Sequence, residues 1–205
     1  MDLNQENDLR TLTDEKLVDL YREGRDDVFE LMVDRYRQEL FHFLVGFLRN
    51  RATAEDIFQE TFLKVFQALD SFDTTRRFKP WLFTIAANKA RDELRRNGLR
   101  RVPQLTARGA DDSDQKIEYL DIVAPDLSSP NQQVEREETE QRVKEAVDQL
   151  PDHLREILLL AYFHRFPYKQ IAEILAVPQG TVKSRLHAAV AAFAQIWTQH
   201  YEPKP

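Results

Sequence analysis

No cysteine occurs in the 205 residues. Disulfides, thiolate metal sites and cysteine nucleophiles are thereby excluded. Glycine is almost as scarce, at five residues, so tight turns are few and a helical architecture is favoured over a β-rich one. No apolar run approaches the ~18 residues that a membrane span needs. The stretch from Met1 to Arg10 is polar and acidic, unlike a signal peptide, and a cytoplasmic protein with no direct membrane insertion is expected. His42, His153, His164, His187 and His200 fall in no metal-ligand spacing, and the many Asp and Glu lack a companion catalytic motif. Neither metal, cofactor nor enzymatic chemistry is expected.

What is present is charge and helical periodicity. Hydrophobic residues make up 42% and charged residues 31%, which suits small packed cores in one or two domains. The net charge of -6 conceals two adjacent blocks of opposite sign. From Thr74 to Arg101, nine basic residues stand against two acids; from Asp111 to Glu140, ten acids stand against two bases. The first block can meet phosphate. The second is a solvated linker, or rests on a basic surface of a partner.

Thr13-Asp14-Glu15 supplies a cap and first-turn acids for a helix that stops near Gly24. A second helix begins near Asp26-Asp27 and carries Phe29, Met32, Val33, Tyr36, Leu40, Phe43, Leu44 and Phe47 at helical spacing. Thr53-Ala54-Glu55-Asp56 is expected to cap a third, reaching Leu69, ahead of a polar loop from Ser71 to Lys79. Pro80 suits the first turn of a fourth, which ends near Asn97-Gly98. Residues 99–133 hold Pro103, Gly109, Pro125 and Pro130 among acids and serines, and read as a linker with at most a short helix. Patterning resumes near Val134. Pro151 starts an element from Leu154 to His164, Pro167 and Pro178 bracket Tyr168 to Val177, and a last helix runs from Gln179 to Tyr201. The expected fold is all-α: two small helical domains, residues 1–98 and 134–205, joined by an acidic flexible linker, 99–133, with a helix-turn-helix in the second.

Three helix faces stand out. On the third helix Ile57, Phe58, Thr61, Phe62, Val65, Phe66 and Leu69 fill one half of the wheel, the expected core side. Asp56, Gln59, Glu60, Leu63 and Gln67 cluster opposite. A leucine among acids and amides suits a docking surface, although periodicity alone allows an ordinary wet face with one exposed leucine. On the fourth helix Leu82, Phe83, Ala86, Ala87, Ala90 and Leu94 should be buried, with Trp81, Ile85, Asn88, Lys89, Arg91, Asp92, Arg95 and Arg96 opposite and Arg76, Arg77 and Lys79 just upstream. Basic groups neutralise phosphate, Trp stacks on an unpaired base and Asn bonds a base edge, as single-stranded DNA requires. A basic solvated helix with Trp81 as a core wedge has the same pattern.

The third face is C-terminal. Tyr168 to Leu175 is a short helix, Ala176-Val177-Pro178-Gln179 a turn, and Gly180 to His187 opens a longer helix. Ile171, Ala172, Leu175, Val182 and Leu186 face inward, leaving Gln179, Thr181, Lys183, Ser184, Arg185 and His187 outside or at the edges. Short polar and basic groups near the start of a second helix are what a major-groove reader presents.

Together these segments resemble the extracytoplasmic-function sigma factors of the sigma-70 family. The resemblance rests on AEDIFQETF from Ala54 to Phe62, FKPWLFTIAAN from Phe78 to Asn88, YKQIAEIL from Tyr168 to Leu175 and GTVKSRLH from Gly180 to His187, in the family's order and with an acidic linker between. It implies core RNA polymerase and promoter DNA as partners. It places Asp56, Gln59, Glu60 and Leu63 on the coiled coil of the polymerase clamp. Lys64, Trp81 and Asn88 match positions near the melted -10 strand, with Arg76, Arg77, Lys79, Arg91 and Arg95 as the basic surround. The loop from Ser71 to Lys79 would form the pocket for a flipped-out base. Gln179, Thr181, Lys183, Ser184, Arg185 and His187 would face the -35 duplex. The linker would thread the polymerase toward its active-site cleft, and an anti-sigma protein is a possible further partner.

The resemblance has departures. Ala176 stands where many relatives have glycine, so a tighter or shifted turn is expected. Ala188, Ala189, Ala191 and Ala192 follow where arginines are frequent, so a smaller -35 contribution is expected. Val190, Phe193, Ile196, Trp197 and Tyr201 form an apolar stripe that suits core packing or a partner. Two other functions fit part of the pattern: a stand-alone helix-turn-helix regulator that needs no polymerase, and a protein-binding helical adaptor.

Overall fold

The computed structural model describes residues 9–100 and 131–201, with side chains over 9–97 and 138–201. It divides into two compact units, and among the described residues all regular structure is helical. The expected linker falls mostly outside the described residues. Its margins are helical: the fourth helix continues to Arg100 and the next begins at Asn131, three residues before the expected Val134.

In the first unit, helix α1 spans Asp14–Arg22. Thr13 caps it, its hydroxyl oxygen accepting from the Lys16 N–H at 3.4 Å. Gly24, at φ 94°, ends it: the Gly24 N–H donates to the Tyr21 carbonyl at 3.0 Å and the Arg25 N–H to Leu20 at 3.1 Å. This is the left-handed closure that glycine makes without a Cβ penalty. Helix α2 spans Asp27–Leu48 and buries Met32, Tyr36, Leu40, Phe43, Leu44 and Phe47 along one stripe. Helix α3 spans Arg51–Ala68. It starts earlier than Thr53 because Asn50 is the cap, its side-chain oxygen accepting from the Thr53 N–H at 2.9 Å. A 3-10 turn, Leu69–Ser71, follows. Helix α4 spans Phe78–Arg100, with Pro80 in its first turn as expected.

Phe43, Phe47, Phe78, Phe83, Leu17, Leu40, Leu44, Leu69 and Leu82 are wholly buried. Each such side chain contributes roughly 1.5–3 kcal/mol on burial, more than the ~1 kcal/mol ceiling of an exposed ion pair, so apolar contact holds the unit together. Phe58 is half-buried against Phe41 and Phe62, at ring separations of 6.2 and 5.0 Å. Leu94, expected inside, is half-buried as well. Polar side chains tie down the start of the chain. Arg35 donates to the Leu12 carbonyl at 3.0 Å and to Asp14 at 2.6 Å, and the Tyr36 hydroxyl donates to the same carboxylate. Burial first, and then Asp14, hold the Tyr36 hydroxyl far above its ordinary titration range.

In the second unit, helix α5 spans Asn131–Asp148 and α6 spans Asp152–Leu158. A π turn, Leu159–Phe163, continues α6 and widens the last part of the expected Leu154 to His164 helix. Arg155 is wholly buried. It donates to the Leu150 carbonyl at 2.8 Å and to Asp152, so the charge is satisfied at the corner where α5 passes to α6. Helix α7 spans Tyr168–Leu175 and α8 spans Gln179–His200. Val182, Leu186 and Ala189 are the buried face of α8.

In the turn between α7 and α8, Ala176 adopts the left-handed conformation, at φ 52°. The Ala176 N–H donates to Glu173 at 3.3 Å and the Val177 N–H to Ala172 at 3.0 Å. This repeats the closure made by Gly24, with the steric cost of an alanine Cβ in place of glycine freedom.

Candidate nucleic-acid and protein interfaces

The first candidate surface lies on α3. Asp56, Gln59, Glu60 and Leu63 are all exposed, Leu63 at 58%, and Lys64 is exposed beside them. Helical spacing places the first four on one face, while Ala54, Ile57, Thr61, Phe62 and Val65 are buried on the other. The buried Thr61 hydroxyl donates to the Ile57 carbonyl at 2.6 Å, so the core face carries no unsatisfied polar group there. Phe66 overturns its assignment to the core: it is 49% exposed. It sits on the rim of the apolar arc, with Phe29 and Tyr21 edge-on at 5.2 and 6.2 Å. Leu63 and Phe66 thus make one exposed apolar strip beside the acidic and amide groups.

The second surface is α4 with the loop before it. Phe72 and Phe78 are buried at the loop's two ends, and their rings meet at 5.7 Å. Trp81 is half-buried, 4.6 Å from the Phe72 ring and 5.6 Å from Phe78. Its inner side is wedged against these two rings, and part of the side chain remains exposed. About two and four turns further along, Asn88 and Arg95 are exposed, and Arg91 between them is half-buried. Arg91 donates to the Asn88 side-chain oxygen and to the Ala87 carbonyl, which fixes the amide on the helix surface.

Between Phe72 and Phe78, Asp73 organises the loop. Its carboxylate accepts from the Thr75 N–H at 3.0 Å and from the Thr75 hydroxyl at 2.7 Å. These bonds hold the Asp73 carboxyl below its ordinary range. Arg76 and Arg77 are exposed at the loop's end. Lys79 differs from them. It pairs with Glu39 of α2 at 2.6 Å and lies 6.0 Å from the Phe83 ring centre, so its charge is partly committed within the unit.

The third surface is the start of α8. Gln179, Lys183, Ser184 and His187 are exposed, and Thr181 and Arg185 half-buried at the edges, over buried Val182 and Leu186. Ser184 donates to the Thr181 carbonyl at 3.1 Å. Further along, Val190 is 40% exposed, and Phe193, Ile196, Trp197 and Tyr201 are half-buried. Phe193 stacks on Trp197 at 5.8 Å, and the Tyr201 hydroxyl donates to Glu145 of α5 at 2.8 Å. The terminal stripe therefore packs in part. Burial and the Glu145 bond push the Tyr201 hydroxyl up to about 12. Among the described residues, no His, Asp and Glu cluster is placed to hold a metal ion, and no helix is long and apolar enough to cross a membrane.

Sequence comparison decides the family. Residues 32–100 match sigma-70 region 2 and residues 140–193 match sigma-70 region 4. The chain is 33% identical over 178 residues to the RNA polymerase sigma-H factor of Pseudomonas aeruginosa, covering 86% of this chain and 89% of that one. It belongs to the extracytoplasmic-function sigma factors of the sigma-70 family. It is also 32% identical over 172 residues to the ECF RNA polymerase sigma factor SigW of Bacillus subtilis, over 84% and 90% of the two chains. The fold matches CnrH, solved with the cytosolic domain of CnrY, at TM-score 0.64 and 22% identity over 91% of this chain and 98% of that one. It matches the sigma factor RpoE, solved with the anti-sigma factor NepR from Bartonella quintana, at TM-score 0.60 and 22% identity over 84% and 98%. This sigma factor binds core RNA polymerase and directs initiation at selected promoters. A stand-alone regulator or a simple adaptor leaves the region 2 match without a purpose.

Most residues that the sequence reading placed on the three faces are exposed or half-buried. That reading missed Phe66 as an exposed residue, and it missed Glu15 and Arg22 of α1, whose side chains reach the loop before α4.

Proposed function

We propose that this sigma factor docks on the polymerase through the α3 face of Asp56, Gln59, Glu60 and Leu63. The observation that carries this reading is Leu63, 58% exposed among acids and amides and continuous with exposed Phe66. An apolar anchor ringed by polar groups is the anatomy of a docking patch. The melted -10 strand then runs along Lys64, Arg76, Arg77, Lys79, Trp81, Asn88, Arg91 and Arg95. Trp81 offers its exposed part for stacking, and the basic groups meet phosphate. The loop ending at Phe78 receives a flipped base. In the second domain Gln179, Thr181, Lys183, Ser184, Arg185 and His187 face the -35 duplex from the start of α8.

The proposed domains are residues 1–98 and 134–205, with 99–133 as the anionic tether between them. The protein acts in the cytoplasm and performs no catalysis itself; bond formation belongs to the polymerase. An anti-sigma protein is a candidate regulator, since the sigma factor RpoE, of like fold, was solved with the anti-sigma factor NepR. Run-off transcription with purified core polymerase on a genomic promoter library tests the whole reading. Initiation at a discrete set of promoters, lost with Leu63→Asp through loss of core binding, is the expected result. A polymerase that starts at the same places with and without the protein refutes it.

A further inference from the structure

Helix α1 carries none of the residues assigned to polymerase or DNA, yet two of its side chains grip the two ends of the loop before α4. At the near end, one guanidinium nitrogen of Arg22 donates to the Leu69 carbonyl at 3.2 Å and also to the Phe72 carbonyl. Its other terminal nitrogen pairs with Asp19 at 3.6 Å, which aims the planar group. At the far end, the Glu15 carboxylate accepts from the Phe78 N–H at 3.2 Å. That N–H opens α4 and has no partner within its own helix. Glu15 and Arg22 are seven residues apart, which puts them on one face of α1 about 10 Å apart along its axis. The span between their targets is Asp73 to Arg77, in which only Thr74 is half-buried and the rest are exposed.

We propose that Glu15 and Arg22 are positioning residues for promoter melting: they hold the -10 loop in the one shape that accepts a flipped base. The proposal rests on the reading of this loop as the base pocket. Unstacking a base has a cost, which the pocket recovers only if its donors and acceptors already stand in place. A loop of five residues gripped at both ends loses little entropy when the base arrives; a loop released at one end must be ordered at that moment. Neither residue touches DNA in this account. Both act through the backbone at Leu69, Phe72 and Phe78, so their effect falls on base preference and leaves the α3 and α8 surfaces alone.

The test uses the full chain with core polymerase on a duplex promoter library randomised across the -10 element, with transcripts sequenced to give base preference at each position. Core affinity and thermal melting are measured in parallel. Glu15→Ala and Arg22→Ala are expected to flatten preference at one -10 position by roughly threefold to tenfold, the range that one or two lost hydrogen bonds implies, while core affinity stays within about twofold. Glu15→Gln keeps an oxygen acceptor for the Phe78 N–H and restores the preference, which a merely electrostatic or destabilising effect would not allow. Arg22→Lys keeps the charge and loses the planar grip; it flattens the preference by a smaller factor and carries the test where the alanine variant does not fold. Unchanged -10 preferences in Arg22→Ala or Arg22→Lys holoenzymes that bind core normally overturn the proposal. A wild-type holoenzyme with no -10 preference at any position overturns the pocket reading itself, and is recognised in the control lane.

Discussion

Lys89 of α4 and Glu60 of α3 meet at 2.8 Å, with side chains 29% and 50% exposed, at the border between the proposed docking face and the proposed DNA face. A pair this wet contributes at most about 1 kcal/mol to stability. Its interest is in what each partner does next. A basic polymerase surface that engages Glu60 takes the carboxylate from Lys89 and leaves the ammonium to DNA phosphate. Glu60→Gln should therefore raise non-specific DNA binding by the isolated protein and weaken core binding, while shifting the melting temperature of the first domain by roughly 8 °C or less. Lys89→Ala should lower promoter affinity of the holoenzyme and reduce the slope of log affinity against log salt by about one. A slope unchanged in Lys89→Ala excludes a phosphate contact for this side chain.

Acid should loosen the loop before α4 in a defined direction. The Asp73 carboxyl titrates below its ordinary value because Thr75 donates to it, first through the hydroxyl and then through the backbone N–H. A depressed pKa means that the turn's contribution is complete above the ordinary value of 3.8 and is lost as pH falls through the lower, folded value. NMR titration of the Asp73 side chain should give a midpoint below 3.8, and Thr75→Ala should move it upward. A midpoint at or above the ordinary value in the unsubstituted protein excludes the turn as drawn.

Ala176→Gly should stabilise the second domain. Alanine at φ 52° carries a Cβ clash that glycine lacks, roughly 1–2 kcal/mol, and glycine returns part of that through its greater freedom when unfolded. A net gain of about 0.5–1 kcal/mol is expected, read as a raised melting temperature with -35 affinity unchanged. A loss of stability shows that the methyl group packs where it stands.

How far these features were legible follows from the range of the interactions. Thr13, Pro80, the Tyr168 to Leu175 helix and the Gln179 start of α8 were readable because caps, prolines and apolar spacing act within a few residues. The start of α3 was misplaced because Thr53 and Asn50 are both good caps, and only the geometry selects the earlier one. Phe66 lies on the rim of the apolar arc, where a helical wheel cannot tell burial from exposure; the outcome depends on how Tyr21 and Phe29 approach it. Glu15 and Arg22 reach partners 63 and 47 to 50 residues away, and no local pattern announces such a bond. The function was more legible than the support beneath it, since DNA-facing and polymerase-facing groups must lie on the surface in helical register.

The two proposed DNA surfaces should be unequal. Past His187 the exposed positions Ala188 and Ala191 present methyl groups, with Ala192 half-buried, so α8 offers phosphate few cations beyond Lys183 and Arg185. Lys183→Ala should weaken -35 duplex binding across sequences and reduce its salt slope by about one, as loss of a phosphate contact does. Asn88→Ala should instead relax preference at one -10 base, by about 1–3 kcal/mol, with little change in salt dependence. Adding charge reverses the imbalance: Ala188→Arg with Ala191→Arg should tighten -35 binding and steepen the slope by roughly two. Footprinting decides between the halves. Strong -35 protection that vanishes with Lys183→Ala, in a holoenzyme indifferent to Asn88→Ala, would place the burden on α8 and contradict this division, because a helix so poor in cations cannot hold the duplex by phosphate contact alone.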